Sequence, residues 1–512
     1  MARTPAYVLI LAVSLAPALR AQDPFPQTPQ AAVTQGTRVE QLPSNSVSHV
    51  AVEGGSIWIG TSKGLARSAD GAHTWENYFG NPAFARPGIY SIALRGDTVW
   101  SATGYIRELD NAEVQTGSGY AYSTDNGVTW NSRPQPVDAR DDSVVQYGIN
   151  QVEFLPIVVP EQNVTFDVEL TGRHVWVASW AGGIRRSSDL GATWERTVLP
   201  SRNLNSIAPE DTLQDYLIDP RRDNNFLGFA VHAENDSTIW AGTAGGVNKS
   251  TDGGISWVKF NRDNQVRPIL GDWVIAIASQ RTTAGTVVWT TNWPAEGENQ
   301  QYGISATRDG GASWTNYLHD VKAYGFAFRD SIVYVATTEG LYRTADGGAT
   351  WSHSGAIADA DGPARNLSAG FFAVGVMADT VHGGNGDGLV STADNDVTPF
   401  GQAWRVSHAY RPVGTQRVTY AYPNPFSPAF DATRIHYSLL DQAASVTVEV
   451  FDFGMNRVRT VVSAAPRTAN TEYDEVWDGK DDEGATVPNG VYFYRVGIGD
   501  DEKMWGKILV VQ

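Results

Sequence analysis

The octet "STDGGISW" (Ser250–Trp257) decides the fold, because the chain writes it again and again. Close copies stand at 68–75 (SADGAHTW), 123–130 (STDNGVTW), 187–194 (SSDLGATW), 307–314 (TRDGGASW) and 344–351 (TADGGATW). A longer, degenerate copy, TADNDVTPFGQAW, runs from Thr392 to Trp404. The invariant acid is Asp70, Asp125, Asp189, Asp252, Asp309, Asp346 or Asp394, and a carboxylate there can accept backbone N–H groups inside a turn. The hydroxyl two residues earlier adds a local bond, and the glycine permits a backbone angle that other residues resist. The closing aromatic is Trp75, Trp130, Trp194, Trp257, Trp314, Trp351 or Trp404, a ring worth burying between hairpins. A ligand site is chemically singular. A device used seven times is a scaffold.

Each octet follows the same prelude, as in SIWIGTSKGLARS, HVWVASWAGGIRRS, TIWAGTAGGVNKS and IVYVATTEGLYRT. These read as strand, small-residue loop, strand, and another short apolar strand such as SHVAVE, YSIAL or GFAVHA lies upstream. The unit is therefore four strands: an inner A, then B, then C, the octet as the C–D turn, and D from its Trp. Four-stranded antiparallel sheets repeated radially make a β-propeller, which exposes no long sheet edge. The expected fold class is all-β, a seven-bladed propeller over residues 36–413 followed by a small immunoglobulin-like β-sandwich. Two segments, GTRVEQLPSN and AWRVSHA, compete for the outer strand that closes the ring.

With S/T-x-D-x-G-x-T/S-W repeated in this way, the chain resembles the Asp-box, or BNR-repeat, propellers. The segment LPSNSVSHVAVEGGSIWIGTSKGLARS also resembles the repeats of two-component sensor propellers. Beyond the last octet, YPNPFSP, VFDFGMNRVRTV, WDGKDDEGATVPNGVYFYRV and KILVVQ alternate as strands of a sandwich. Through Pro423, Asn424, Pro425, Phe426, Trp477, Asp478, Gly479, Gly484, Gly490 and Tyr492 this part, 414–512, resembles two families. One is the immunoglobulin-like domain of flagellar hook-capping proteins, and the other is the C-terminal sorting domain of type IX secretion. The second resemblance implies export by outer-membrane secretion machinery as the partner of this domain. DGKDDEG (478–484) reads as an acidic turn, since Lys480 stands where a calcium loop wants a ligand.

The N-terminus agrees with export. Arg3, the apolar run AYVLILAVSLAPAL and small Ala21 form a signal peptide over 1–21, and 22–35 reads as a flexible segment. The run is too short to cross a membrane, and no second one follows. The expected location is secreted or on the outer surface of a bacterium. Lys and Arg total 38 against 56 Asp and Glu, giving −18, a charge that disfavours nucleic acid. Zero cysteines exclude thiol chemistry and disulfides, and nine scattered histidines without HExxH give no metal site. No cofactor is expected.

In this strand order A–B turns and octets share one face, while B–C loops and D–A connections share the other. A–B turns are minimal, and Arg95-Gly96-Asp97 is one of them rather than an adhesion signal. The long loops fall on the opposite face: 104–118, about 131–163, 199–225 and 292–301. Long loops in compact domains are functional or disordered. The candidate ligand contacts are Tyr105, Arg107, Glu108 and Asp110, then Trp180, Trp293, Glu296, Glu298, His382 and Asp387. Aromatics beside carboxylates suit sugar stacking and hydrogen bonding. A glycan- or protein-binding face is the leading expectation. The alternative is a sialidase-like or other glycoside hydrolase, recruiting Tyr105 with Glu108 or Glu296 with Asp387. The sialidase Arg-Ile-Pro signature is absent, and sialidases have six blades.

Overall fold

In the computed structural model the described residues are 41–512, apart from 85, 87, 110–111, 296–298, 356, 358, 360–368, 410–418, 440–442, 469–470 and 500–501. The expected signal peptide and the segment 22–35 lie outside them. Among the described residues seven antiparallel sheets follow the A–B–C–D order. The first comprises Val47–Glu53, Ser56–Thr61, Gly64–Ser68 and Glu76–Asn77, and the last Ala373–Met377, Thr380–Gly384, Leu389–Ala393 and Arg405–Ser407. Each inner strand packs on the next, and Val47–Glu53 packs on Ala373–Met377 to close the ring. AWRVSHA supplies the closing outer strand, since Arg405–Ser407 pairs with Leu389–Ala393. The N-terminal segment lies beside it, with the Leu42 N–H donating to the His408 carbonyl at 3.4 Å.

The octets form one hydrogen-bonded device. In blade four Ser250 Oγ donates to Asp252 Oδ1 (2.7 Å) and accepts the Gly254 N–H (2.8 Å). Asp252 accepts the N–H groups of Ile255 (3.0 Å) and Ser256 (2.9 Å) and the Ser256 hydroxyl (2.5 Å). Blades one, two, three, five and six repeat the pattern around Asp70, Asp125, Asp189, Asp309 and Asp346. Blade seven corrects the expectation for Asp394. Its turn is longer, and Asn395 takes the N–H groups of Val397 and Thr398 instead. The buried Asp394 carboxylate accepts Arg343 Nε (2.6 Å) and the Tyr334 hydroxyl, both from blade six.

That exception exposes a rule. A cation from each blade reaches the octet of the next. Arg67 donates to the Asn126 carbonyl (3.3 Å), Arg133 to Leu190 (2.9 Å) and Arg186 to Gly253 (2.6 Å). Lys249 donates to Gly310 (3.1 Å) and Arg308 to Gly347 (3.1 Å), while Arg343 meets Asp394. Arg405 of blade seven donates to the Ala72 carbonyl of blade one (2.8 Å), completing the circle. Aromatic pairs run alongside: strand-B Trp58, Trp176, Trp240 and Trp289 meet the next blade's Trp130, Trp257, Trp314 and Trp351 edge-on at 6.2–6.5 Å. Such pairs contribute about 0.5–1.5 kcal/mol each beyond the area they bury. The octet therefore joins blades as well as hairpins.

Two long connections leave the loop face. Val144–Tyr147, Asn150–Phe154 and Leu217–Ile218 form a three-stranded sheet, and Ser206–Ile207 adds a fifth strand to blade four. Their apolar residues Val152, Phe154, Val198, Leu199 and Ile218 bury with Trp176 and Trp257 on the flank of blades three and four. Hydrophobic burial of these segments overrides their expected place at the channel mouth.

The C-terminal part is a sandwich of two sheets. One holds Tyr420–Tyr422, Thr433–Leu439 and Thr471–Trp477, and the other Arg457–Arg467, Ala444–Phe451, Gly490–Ile498 and Glu502–Val510. The sequence motif converges on one knot, where Trp477 packs on Phe426 (5.6 Å) and Tyr492 (5.5 Å). This domain docks on the loop face of blades seven and one. Arg434, 5% exposed, donates to Asp387 Oδ1 at 2.8 Å and to the Gly386 carbonyl. Phe430 meets Phe79 edge-on at 6.2 Å.

Gly254→Ala would place a Cβ 2.4 Å from the Trp176 ring at φ +88°, whereas Gly55, at φ +77°, faces nothing within 4 Å. Urea unfolding followed by Trp fluorescence should show a loss of about 2–4 kcal/mol for Gly254→Ala against about 1 for Gly55→Ala. Equal losses would remove the inter-blade role of the octet. Hydrogen bonds from Thr193, Ser313 and Thr350 hold Asp189, Asp309 and Asp346 down to about 2. A carboxyl depressed in the folded state stabilises it above its unfolded value near 4 and loses that effect as pH falls. Near-UV circular dichroism should therefore collapse cooperatively between about pH 4 and 2. Removing one member of a buried ion pair typically costs about 3–5 kcal/mol. Arg434→Ala should approach that loss and enlarge the radius of gyration in X-ray scattering, while an unchanged radius would mean that the pair does not fix the domain.

Candidate functional site

The inner strands share a local irregularity at their loop-face ends. In six blades the A–B register skips one residue: Ser48, Tyr90, Phe166, Phe229, Ile275 or Tyr324. A β-bulge re-aims the extra side chain and ends regular pairing. Here it gathers aromatic rings around the channel mouth. Tyr90 lies 6.3 Å from Phe166, Phe166 lies 5.6 Å from Phe229, and Phe229 lies 5.5 Å from Trp273. Trp180, from the B–C loop of blade three, joins Phe166, Phe229 and Trp273 at 5.1–6.5 Å. On blades five to seven the chain resumes through Trp293, Tyr324 and Phe372, with centroids 5.7 and 5.9 Å apart. Tyr90, Phe166, Trp180, Trp273, Tyr324 and Phe372 are all partly exposed.

Two carboxyl groups flank this crescent. Asp167 follows the bulged Phe166 and accepts Ser91 Oγ (3.1 Å) and the Val231 N–H (3.0 Å), tying the inner strands of blades two, three and four. Burial pushes it up to about 7. Asp272 precedes Trp273, accepts the Arg262 N–H (3.0 Å) and Gln300 Nε2 (3.1 Å), and burial raises it to about 6. Gln300 Oε1 also accepts the N–H groups of Asp272 (2.9 Å) and Ala295 (2.8 Å), which ties Ala295 to Asp272. Lys322, at the start of blade six, places its Nζ 4.0 Å from the Trp293 ring centre and 5.8 Å from that of Tyr324.

The structure separates the expected contacts. Trp180 belongs to the crescent, and Trp293 forms its buried back wall, donating Nε1–H to the Ala323 carbonyl (2.9 Å). Tyr105, Arg107 and Glu108 stand on a long hairpin, Thr98–Leu109 with Ala112–Ser123. Arg107 pairs with Glu161 at 2.5 Å, and Arg86 lies 4.5 Å over the Tyr105 ring. Asp110, Glu296 and Glu298 lie outside the described residues. His382 and Asp387 are corrections. His382, 1% exposed, pairs in register with Gly375 and Ser391 as Trp58 does with Ala51 and Arg67, so it fills the strand-B aromatic position of blade seven. Burial, with Arg405 nearby, lowers it to about 4. Asp387 is taken by Arg434 of the C-terminal domain and is not open to a ligand.

Sequence reading missed Tyr90, Phe166, Phe229, Trp273, Tyr324, Asp167 and Asp272. A signal was present: an aromatic recurs near the start of strand A in GIYSI, TFDV, GFAV and AYGF. Its meaning depends on the bulge, which no local pattern announces.

The family model described as the FlgD Ig-like domain matches residues 427–500. Xyloglucanase Xgh74A of Acetivibrio thermocellus is 24% identical over 282 residues, which is 53% of this chain and 28% of that protein. The chain therefore spans little more than a quarter of the length of the curated relative it matches. Among solved structures, the Niastella koreensis GH74 enzyme is similar with a TM-score of 0.48 and 14% identity, over 94% of this chain and 75% of the other. PorZ, a bacterial surface component of the type-IX secretion system of Porphyromonas gingivalis, is similar with a TM-score of 0.40 and 13% identity, over 92% and 66%. No helix among the described residues is long and apolar enough to cross a membrane. The chain is a β-propeller followed by an immunoglobulin-like domain.

Proposed function

We propose that this is an exported, cell-surface or extracellular binding protein whose channel mouth holds a glycan by ring stacking. The observation that carries this reading is the aromatic crescent, four of whose rings are bulged residues on the inner strands of blades two, three, four and six. Partly exposed ring faces beside fixed polar groups match the stacking and hydrogen-bonding needs of sugars. Export is read from the N-terminal segment 1–21, with 414–512 as the module engaged by outer-membrane secretion machinery. The xyloglucanase relative makes β-linked glucans the first ligands to try.

Binding is favoured over hydrolysis by the fate of the carboxylates. The pair Glu296 with Asp387 is undone, because Asp387 is committed to Arg434. Tyr105 and Glu108 are three residues apart on one regular strand, so their side chains point to opposite faces. Asp167 has both oxygens occupied by neighbouring blades.

Xyloglucan and cello-oligosaccharides on a glycan array, with a chromogenic glycosidase panel beside it, provide the test. Trp180→Ala and Trp273→Ala should each weaken binding about tenfold or more, since one stacked ring contributes on the order of 1–2 kcal/mol. Turnover that disappears in Asp272→Asn would replace this reading with a hydrolase. Binding unchanged in both tryptophan variants would move the site elsewhere.

A further inference from the structure

Lys322 is unusual in this acidic chain. Its Nζ lies 4.0 Å from the Trp293 ring centre, 5.9 Å from Tyr302 and 5.8 Å from Tyr324, a three-sided aromatic cradle. Among the described residues its ammonium makes no ion pair and donates no hydrogen bond. Burial lowers its pKa. By contrast, Arg262 spends its guanidinium on the Ile269 and Leu270 carbonyls. The cradle holds the charge in place and, among the described residues, leaves the ammonium donors unspent. Strong anion recognition uses such a partly desolvated, charge-assisted donor.

The surroundings narrow the anion. Tyr302, Tyr324 and Phe372 are partly exposed, and Tyr324 and Phe372 continue the crescent away from Lys322. A hexuronate presents a flat apolar ring face and, on the next carbon, a carboxylate. Stacking the ring on Tyr324 brings that carboxylate within reach of the Lys322 ammonium. A neutral hexose gains the stacking but leaves the ammonium unpaired, and an unpaired partly buried charge is costly. Resting on the glycan-binding reading above, we infer that the blade-five to blade-six sector of the mouth is a uronic-acid subsite, with Lys322 as its specificity-determining residue.

The test uses the full chain and matched ligands: hexagalacturonate and the same oligosaccharide with every carboxyl reduced to the alcohol, titrated calorimetrically at low and high salt. The acidic form should bind about tenfold or more tighter, with an advantage that shrinks in salt. Lys322→Met should abolish the difference, and Lys322→Arg should restore most of it. Near-UV circular dichroism of the variants reports whether the tryptophan cradle survives. Equal affinity for the two ligands, or a preference that persists in a folded Lys322→Met, overturns the inference. If neutral glucans bind through Trp180 and Trp273 with no gain from carboxyl groups, the subsite is wrong and the glycan face stands. If no glycan binds, both fall.

Discussion

The ring depends on one contact repeated around it: a cation on one blade donating to the octet of the next. A blade is a small twisted sheet with little core of its own, so its stability comes from its neighbours. The octet gives those neighbours a rigid carbonyl to hold, because its Asp and hydroxyl have already organised the turn. Where the octet degenerates, in blade seven, Arg343 finds the Asp394 carboxylate instead, so the contact outlasts the motif. Arg405 closing on Ala72 matters most in topology. Among the described residues no strand is exchanged across the seam, and the last blade meets the first through packing, side-chain contacts and single backbone hydrogen bonds such as Val47 N–H to the Asn385 carbonyl (2.9 Å).

The loop face is divided by what covers it. The immunoglobulin-like domain sits over blades seven and one through Arg434 and Phe430. The inserted three-stranded sheet turns aside to the flank of blades three and four. The aromatic crescent runs between, across the inner strands of blades two to seven. A ligand at the mouth would therefore approach past the fixed C-terminal domain, and the two parts of the chain would act as one surface.

Much of this architecture was legible in the residues. Seven octets and their preludes specify the strand order, and Phe426, Trp477 and Tyr492 mark the sandwich core. The site was less legible. Both Trp180 and His382 are expected on the loop face; Trp180 stands in a B–C loop, but His382 does not. In the register it is a strand-B core residue. Asp387, an expected ligand contact, is held instead by a guanidinium 47 residues away in the chain.

The sequence by itself determined what is local and periodic: the turn chemistry of the octet, the alternation of the strands and the order of the two domains. These follow from hydrogen bonds and burial within a few residues of chain. Only the tertiary structure decided which long segments pack as flank, which acid meets Arg434, and which rings meet at the channel mouth. Those outcomes depend on β-bulges and on contacts between blades far apart in sequence, where the partner of each side chain is set by closing the ring.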